Sequence, residues 1–274
     1  MPKIELVSLR HAAVQEGAQR LARAGVPEPR RKALRIWKEL SESDQPATPE
    51  RYHAAIERRA SGEPLPHVTG WIGFRHLTLR SDARALIPRP ETEGLVELLL
   101  AKVRAGRVAD IGTGSGCIAL SLALEGEYSD VIGVDRSRRA LAQAAENRAL
   151  VGARMALVQG DLSEPLRTDA FDALISNPPY LTAAEYASLD CSVRDWEPEL
   201  ALASGEDGLD ATARLLADGR RVLRAGGWLA LEVDCSRASQ AAAAAVQLGW
   251  RDVQVHMDLF GRERFLLARR SNTR

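Results

Sequence analysis

The sequence predicts an α/β protein, a doubly wound, mostly parallel sheet of roughly seven strands preceded by a small helical unit. Three observations predict it. Short apolar runs alternate with helical patterns from Val108 onward, a glycine cluster separates the first run from its helix, and the first 60 residues carry helical periodicity only.

Taken in order, Leu6, Leu9, Ala13, Leu21 and Ala22 form one helical stripe. Leu34, Ile36, Trp37 and Leu40 mark a second helix, opened by Pro27-Glu28-Pro29 and ended before Ser41-Glu42-Ser43-Asp44-Gln45-Pro46. Thr48-Pro49-Glu50 opens a third, with Thr48 as N-cap and Pro49 at the first helical position; Pro64 and Pro66 stop it. His67–Trp71 and Phe74–Leu79 then read as a hairpin. The expected organisation is a helical domain over 1–62, a β-hairpin linker over 63–86 and a larger domain over 87–274. Arg20, Arg23, Arg30, Arg31, Lys32, Arg35, Lys38, Arg58 and Arg59 enrich the first unit in positive charge, among seven glutamates. They are either ordinary solvated helix surface or a mildly basic docking face.

The larger domain opens on Val108-Ala109-Asp110-Ile111, then Gly112-Thr113-Gly114-Ser115-Gly116, then a helical run from Cys117. Glycines permit the tight turn and let backbone N–H groups approach a ligand at a helix N-terminus. The spacing is neither the phosphate loop nor the dinucleotide fingerprint, and a plain strand-to-helix turn remains the bland reading. Val131–Val134 ends in Asp135, about 20 positions on, where a carboxylate suits the two hydroxyls of a ribose. Met155–Gly160 ends in Asp161-Leu162, an acid and an apolar side chain where an adenine ring would sit, unless Asp161 merely caps its loop.

Phe171–Ser176 ends in Asn177-Pro178-Pro179-Tyr180. Each proline fixes its own φ and lacks an N–H, so the corner is stiff and leaves oxygen acceptors unspent. A planar NH2 group needs two acceptors spread about its plane, and Tyr180 offers a flat face. The alternative is a Pro-Pro turn with Tyr180 as a lid on the core. A helix near Leu209–Leu223, a strand over Gly227–Val233 and an Ala-rich helix over Ala238–Leu248 follow, and the runs Val253–His256 and Arg264–Ala268 close the sheet as a hairpin. The tips at Gly112, Asp135, Asp161 and Asn177 fall on one edge of the sheet, where ligands bind in open α/β folds.

These motifs resemble those of S-adenosylmethionine-dependent methyltransferases that act on planar NH2 groups. Ile87-Pro88-Arg89-Pro90-Glu91-Thr92-Glu93 and Val193-Arg194-Asp195-Trp196-Glu197-Pro198-Glu199-Leu200-Ala201-Leu202 narrow the resemblance. With them the chain is similar to the peptide chain release factor glutamine N5-methyltransferases (the HemK/PrmC family), from its first helices to its C-terminus. The resemblance implies a Rossmann-like class I methyltransferase fold. It also implies methylation of the glutamine side-chain nitrogen in the Gly-Gly-Gln motif of class 1 release factors, with S-adenosyl-L-homocysteine as product. By position, Gly112, Thr113, Gly114, Ser115 and Gly116 would line the methionine and ribose of the cofactor. Asp135 would hold the ribose, Asp161 and Leu162 would flank the adenine, and Asn177 would face both cofactor and substrate. Pro178, Pro179 and Tyr180 would complete the substrate corner. Arg89 and Glu91 would position the methionine tail or the substrate loop, or else form an ordinary salt bridge. The competing substrates are a large-subunit ribosomal protein glutamine, against which Pro88–Thr92 argues, and an exocyclic amine of adenine or guanine in nucleic acid. A non-catalytic cofactor-binding module is the remaining alternative.

Composition bounds the rest. A chain of 274 residues, 45% hydrophobic, supports one large and one small domain. Three cysteines without metal spacing point to a reducing compartment, and the scattered histidines predict no metal. Cys117 reads as a small core residue rather than a nucleophile. A formal net charge of zero does not favour stable nucleic-acid binding. With no signal-peptide pattern or bilayer-length apolar run, the expectation is a soluble cytoplasmic monomer without membrane attachment.

Overall fold

The structure, a computed structural model, describes residues 3–42 and 47–272, with side chains from residue 10 onward. Two compact units are present. Residues up to Trp71, together with Asp190–Trp196, form one; Ile72–Leu189 and Glu197–Arg274 form the other.

The first unit contains α1 (Lys3–Arg23), α2 (Pro29–Ser41), α3 (Pro49–Ala60) and α4 (Leu65–Thr69). Leu21, Ile36, Tyr52 and Ile56 fill its centre. Thr48 caps α3 by accepting the Arg51 N–H at 3.3 Å, with Pro49 in the first turn. Tyr52 donates its hydroxyl to the Ala33 carbonyl at 3.2 Å, which ties α3 to α2. Gly17 lets α1 approach this pair: a Cβ there would meet the Tyr52 hydroxyl and Ile56 Cδ1.

Three sequence expectations are corrected here. Ala22 is exposed, and the stripe runs through Val14, Gly17, Ala18 and Leu21, which one 3.6-residue period aligns. Leu34 faces outward at 44% exposure, with Ala33 filling the interior position. His67–Thr69 are helical, because Pro64 and Pro66 open α4 rather than only ending α3, and Gly70 at φ 81° closes it. Leu6 and Leu9 have side chains outside the described residues, as do Ser43-Asp44-Gln45-Pro46 entirely.

The hairpin is shorter than expected: β1 (Trp71–Phe74) pairs with β2 (Leu77–Arg80) across a turn where Arg75 sits at φ 49°. The sheet of the second unit has the order β5-β4-β3-β6-β7-β9-β8. Its strands are β3 (Ala105–Ile111), β4 (Glu127–Asp135), β5 (Ala156–Gln159), β6 (Phe171–Ser176), β7 (Leu223–Glu232), β8 (Arg251–Met257) and β9 (Glu263–Arg269). The first five in space are parallel, and β9 pairs antiparallel with both β7 and β8.

The seven-stranded doubly wound sheet read from the sequence is therefore the fold. Side chains alternate across it. Val108, Ala173 and Ile175 pack on one face with Leu95 and Leu99 of α5 (Thr92–Lys102) and Ile118 and Leu122 of α6 (Cys117–Glu125). Ala109, Ile111, Phe171 and Leu174 pack on the other. There they meet Leu215 and Leu216 of α10 (Asp210–Val222) and Ala241 and Ala245 of α11 (Ala238–Gln247). The chain also forms α7 (Arg138–Val151), α8 (Ala183–Ala187), α9 (Cys191–Arg194) and a 3-10 turn over Glu199–Ala201. Parallel register brings Ile111 level with Val134 and Ser176, and Asp135 level with Gln159. Gly112, Asp135, Gly160 and Asn177 thus emerge together at one edge.

Candidate active site

The turn from β3 to α6 is built for close approach. Gly112, Gly114 and Gly116 take φ values of 72°, 54° and 84°, a region that costs other L-residues about 1–2 kcal/mol. A Cβ on Gly112 would meet no protein atom within 4 Å, whereas one on Gly116 would press on Ala144. Below the turn, fully buried Asp110 accepts the Thr113 hydroxyl at 2.6 Å and the Ala119 N–H at 3.2 Å on Oδ2. Its Oδ1 has no hydrogen-bond partner among the described residues. Burial pushes this carboxyl up to about 7, against the pull of those two donors. Cys117, the first residue of α6, is a buried thiol that burial pushes up to about 12, which makes it a poor nucleophile.

Asp135 closes the second side. Its Oδ2 accepts the Gly114 N–H and its Oδ1 the Ser137 N–H, both at 2.8 Å. Burial raises the carboxyl's pKa while the backbone donors oppose that shift. Asp161 forms an ion pair with Arg214 at 2.8 Å, and Leu162 beside it adopts φ 48°.

At the fourth tip, Asn177 donates Nδ2 to the Thr92 hydroxyl at 3.1 Å, and Thr92 donates in turn to Glu232 Oε2 at 2.6 Å. One N–H of the amide is thereby engaged inside the fold, and Asn177 lines the cavity described below. Tyr180 is held by its backbone N–H to Leu202 O at 3.1 Å, and burial with nearby Glu232 pushes its phenol up to about 12.

A cavity of about 340 Å³ joins these tips. Gly112, Gly114, Asp135, Asp161, Leu162, Asn177 and Pro179 line it. Thr113, Ser115, Gly116, Pro178, Tyr180, Arg89 and Glu91 are not among its lining residues. Arg89 instead bonds buried Glu197 at 2.6 Å, and Glu91 precedes α5 as its N-terminal flanking residue. The sequence reading missed Thr92 and Glu232, and also Arg214 and Ser204 on the cavity wall. An acid ending the apolar run Trp228-Leu229-Ala230-Leu231 was the available signal for Glu232.

Residues 90–190 match the Methyltransferase small domain family. The release factor glutamine methyltransferase of Deinococcus radiodurans is 41% identical over 271 residues, covering 93% of this chain and 96% of that protein. The chain belongs to the release factor glutamine methyltransferase family. A second member, from Moorella thermoacetica, is 41% identical over 276 residues, covering 94% of this chain and 97% of that protein.

Among solved structures, a methyltransferase from Pyrococcus furiosus superposes with a TM-score of 0.54 at 17% identity, over 70% of this chain and 88% of its own. The T. thermophilus 16S rRNA N2 G1207 methyltransferase, solved with AdoMet and guanosine, gives 0.51 at 18%, over 73% and 49%. These two likenesses speak to the fold, that of class I methyltransferases. Membership in the family makes this chain a methyltransferase. No helix among the described residues is long and apolar enough to cross a membrane.

Proposed function

We propose that this chain transfers a methyl group from S-adenosylmethionine to the side-chain amide nitrogen of the glutamine in the Gly-Gly-Gln motif of class 1 release factors. The observation that carries the reading is the orientation of Asn177. Its amide donates to Thr92 and the residue lines the same cavity as the glycine turn and Asp135, which supports a reading in which the carboxamide oxygen faces the substrate.

The residues present fit the cofactor. Gly112 offers open space where any side chain would intrude, and Asp135 lines the cavity as a two-oxygen acceptor suited to vicinal hydroxyls. Leu162 supplies an apolar wall for the adenine. When bound, the cofactor supplies an electrophilic methyl carbon on a sulfonium sulfur and departs as S-adenosyl-L-homocysteine.

The difficulty lies in the nucleophile. An amide lone pair is delocalised into its carbonyl, with a rotation barrier of ~18–20 kcal/mol as the measure of that resonance. Asn177 Oδ1 accepts one N–H of the glutamine NH2 from the cavity wall, and the carbonyl of Pro178, next to that wall though not part of its lining, accepts the other. They aim its face at the methyl carbon and stabilise the positive charge that grows on nitrogen. Such placement supplies roughly 7–11 kcal/mol of the barrier. With the cofactor bound, the N–C bond would form as the C–S bond breaks, the electron pair leaving with sulfur, while Asn177 and Pro178 keep their hold on the nitrogen. The acidified nitrogen then releases its proton to water, so no general base is needed. Tyr180 packs against the corner, and Arg89 and Glu91 hold the segment before α5 beside it.

Residues 1–62 serve as the substrate-recognition domain, 63–86 as the linker and 87–274 as the catalytic domain. The protein acts in the cytoplasm as a monomer. The names of the relatives favour a release factor over the ribosomal-protein and nucleic-acid substrates. Incubation with labelled cofactor, an intact class 1 release factor and separately DNA or RNA tests the reading. Label is expected in the factor alone, and label in nucleic acid overturns it.

A further inference from the structure

We propose that Thr92 and Glu232 are positioning residues for the reaction: through the Thr92 hydroxyl, the charge on Glu232 decides which end of the Asn177 carboxamide faces the cavity. The inference rests on the methyl-transfer reading above and adds a control to it.

The relay has a fixed direction. Thr92 and Glu232 are 2% and 1% exposed, so water is not available to substitute for either partner. An ionised carboxylate only accepts. Thr92 therefore spends its single proton on Glu232 at 2.6 Å and accepts from Asn177 Nδ2 at 3.1 Å. With the nitrogen turned inward, Oδ1 faces the cavity as the acceptor that a planar NH2 substrate requires.

Protonating Glu232 reverses the order. The acid donates to the Thr92 oxygen, the Thr92 proton turns to Asn177, and of the two ends of that carboxamide Oδ1 is the one that accepts it. The carboxamide rotates and presents its own NH2 to the substrate NH2. Two donors then oppose each other, and the substrate nitrogen loses both its aim and the stabilisation of its growing charge.

The surroundings of Glu232 place this switch in the working range. Burial is the largest influence on the carboxyl and pushes it up to about 7. Arg264 on β9 and Arg89 ahead of α5 pull the other way, Glu91 adds to the rise, and Tyr180 after β6 and the Cys117 thiol at the start of α6 also face it. Both arginines are engaged elsewhere, Arg264 with Asp258 at 2.8 Å and Arg89 with Glu197 at 2.6 Å. Raised in the folded protein, Glu232 becomes the relay's acceptor as pH rises through that value. Turnover is expected to rise with it.

The test is kcat against pH from about 5.5 to 9 at saturating cofactor, with the intact release factor as methyl acceptor. Wild type is expected to show a rising limb near pH 7. Thr92→Val cuts the relay and should lower kcat about tenfold, the worth of one hydrogen bond, with the limb gone. Thr92→Ser keeps the hydroxyl and should restore both rate and limb. Glu232→Gln keeps an acceptor without a titrating group and should lose the limb.

Calorimetric cofactor affinity should stay within about twofold throughout, as expected of groups that act on turnover. A limb that persists in Thr92→Val or Glu232→Gln, or a Thr92→Val enzyme as fast as wild type, overturns the proposal. If the Val variant fails to fold, the Ser and Gln profiles still decide it. Wild type that methylates no release factor at any pH overturns the parent reading instead.

Discussion

Arg89 and Glu197 stand 108 residues apart in sequence and meet at 2.6 Å, with the Glu197 side chain 1% exposed. The same carboxylate accepts the Ile87 N–H at 3.0 Å. One buried acid therefore fastens the Pro88–Thr92 segment to the Glu197–Leu202 segment, the two stretches that narrow the family resemblance. Pro198, Leu200 and Ala201, which follow Glu197, line the cavity, so this tie also sets one of its walls.

Glu197→Ala leaves the Ile87 N–H and Arg89 without their acceptor. A buried donor left unsatisfied costs about 1–3 kcal/mol, and unfolding midpoints in urea should fall accordingly. Glu197→Gln keeps one acceptor and should lose less. Equal stability of the Ala variant and wild type would show that the contact carries no weight.

Asn177→Ala and Asp135→Ala should separate chemistry from binding. The first removes the cavity-facing acceptor and should abolish most turnover with cofactor affinity nearly kept. The second removes the acid that accepts the Gly114 and Ser137 N–H groups and should chiefly weaken cofactor binding. Calorimetric titration beside single-turnover rates measures both, and parallel losses in the two variants would contradict the division of roles.

Asp110 makes stability depend on pH in a stated direction. Burial lifts its folded carboxyl to about 7, well above the ordinary value of about 4. The folded state then holds the proton more tightly than the unfolded chain. Its stabilising effect is full below about pH 4 and is lost as pH rises towards 7. Asp110→Asn, neutral throughout and still an acceptor for Thr113, should gain stability relative to wild type across that window and keep a constant difference above it. Urea unfolding at several pH values checks this, and a pH-independent difference would refute it.

In the helical unit, Gly17→Ala sets two effects against each other. Alanine favours helix by about 1 kcal/mol, but its Cβ would meet the Tyr52 hydroxyl and lie 3.0 Å from Ile56 Cδ1. Overpacking of about 1–3 kcal/mol should win, and thermal melts should show a net loss. Adding Tyr52→Phe removes the clashing oxygen and should recover part of it. A stabilised Gly17→Ala single variant would show that the contact yields.

Residues 1–62 supply a further comparison. Their deletion should weaken methylation of the intact release factor more than that of a short Gly-Gly-Gln peptide, measured as kcat/KM for each. Equal losses would leave that unit with a structural role only.

The sheet was legible because its signals are local. Each parallel strand is a short apolar run, and the glycines at 112, 114 and 116 mark where the chain must turn at positive φ. The short helix α4 was not, since a proline reads equally as the end of one helix and the first turn of the next, and here Pro64 and Pro66 do the second. Leu34 and Ala22 show that an apolar residue beside a stripe need not belong to it. The Asn177 corner was visible as a tetrapeptide, but what orients it was not. Thr92 lies 85 residues from Asn177 and 140 from Glu232, and only the pairing of β6 with β7 and the start of α5 bring the three together.

The most direct test of the account is where the methyl group lands. After reaction with the purified protein and S-adenosylmethionine, peptide mass spectrometry of a class 1 release factor should find one added methyl on the Gly-Gly-Gln glutamine side chain. A factor carrying alanine at that position should gain none. A methyl group on any other residue, or undiminished labelling of the alanine factor, would contradict the claim that this corner grips a glutamine amide.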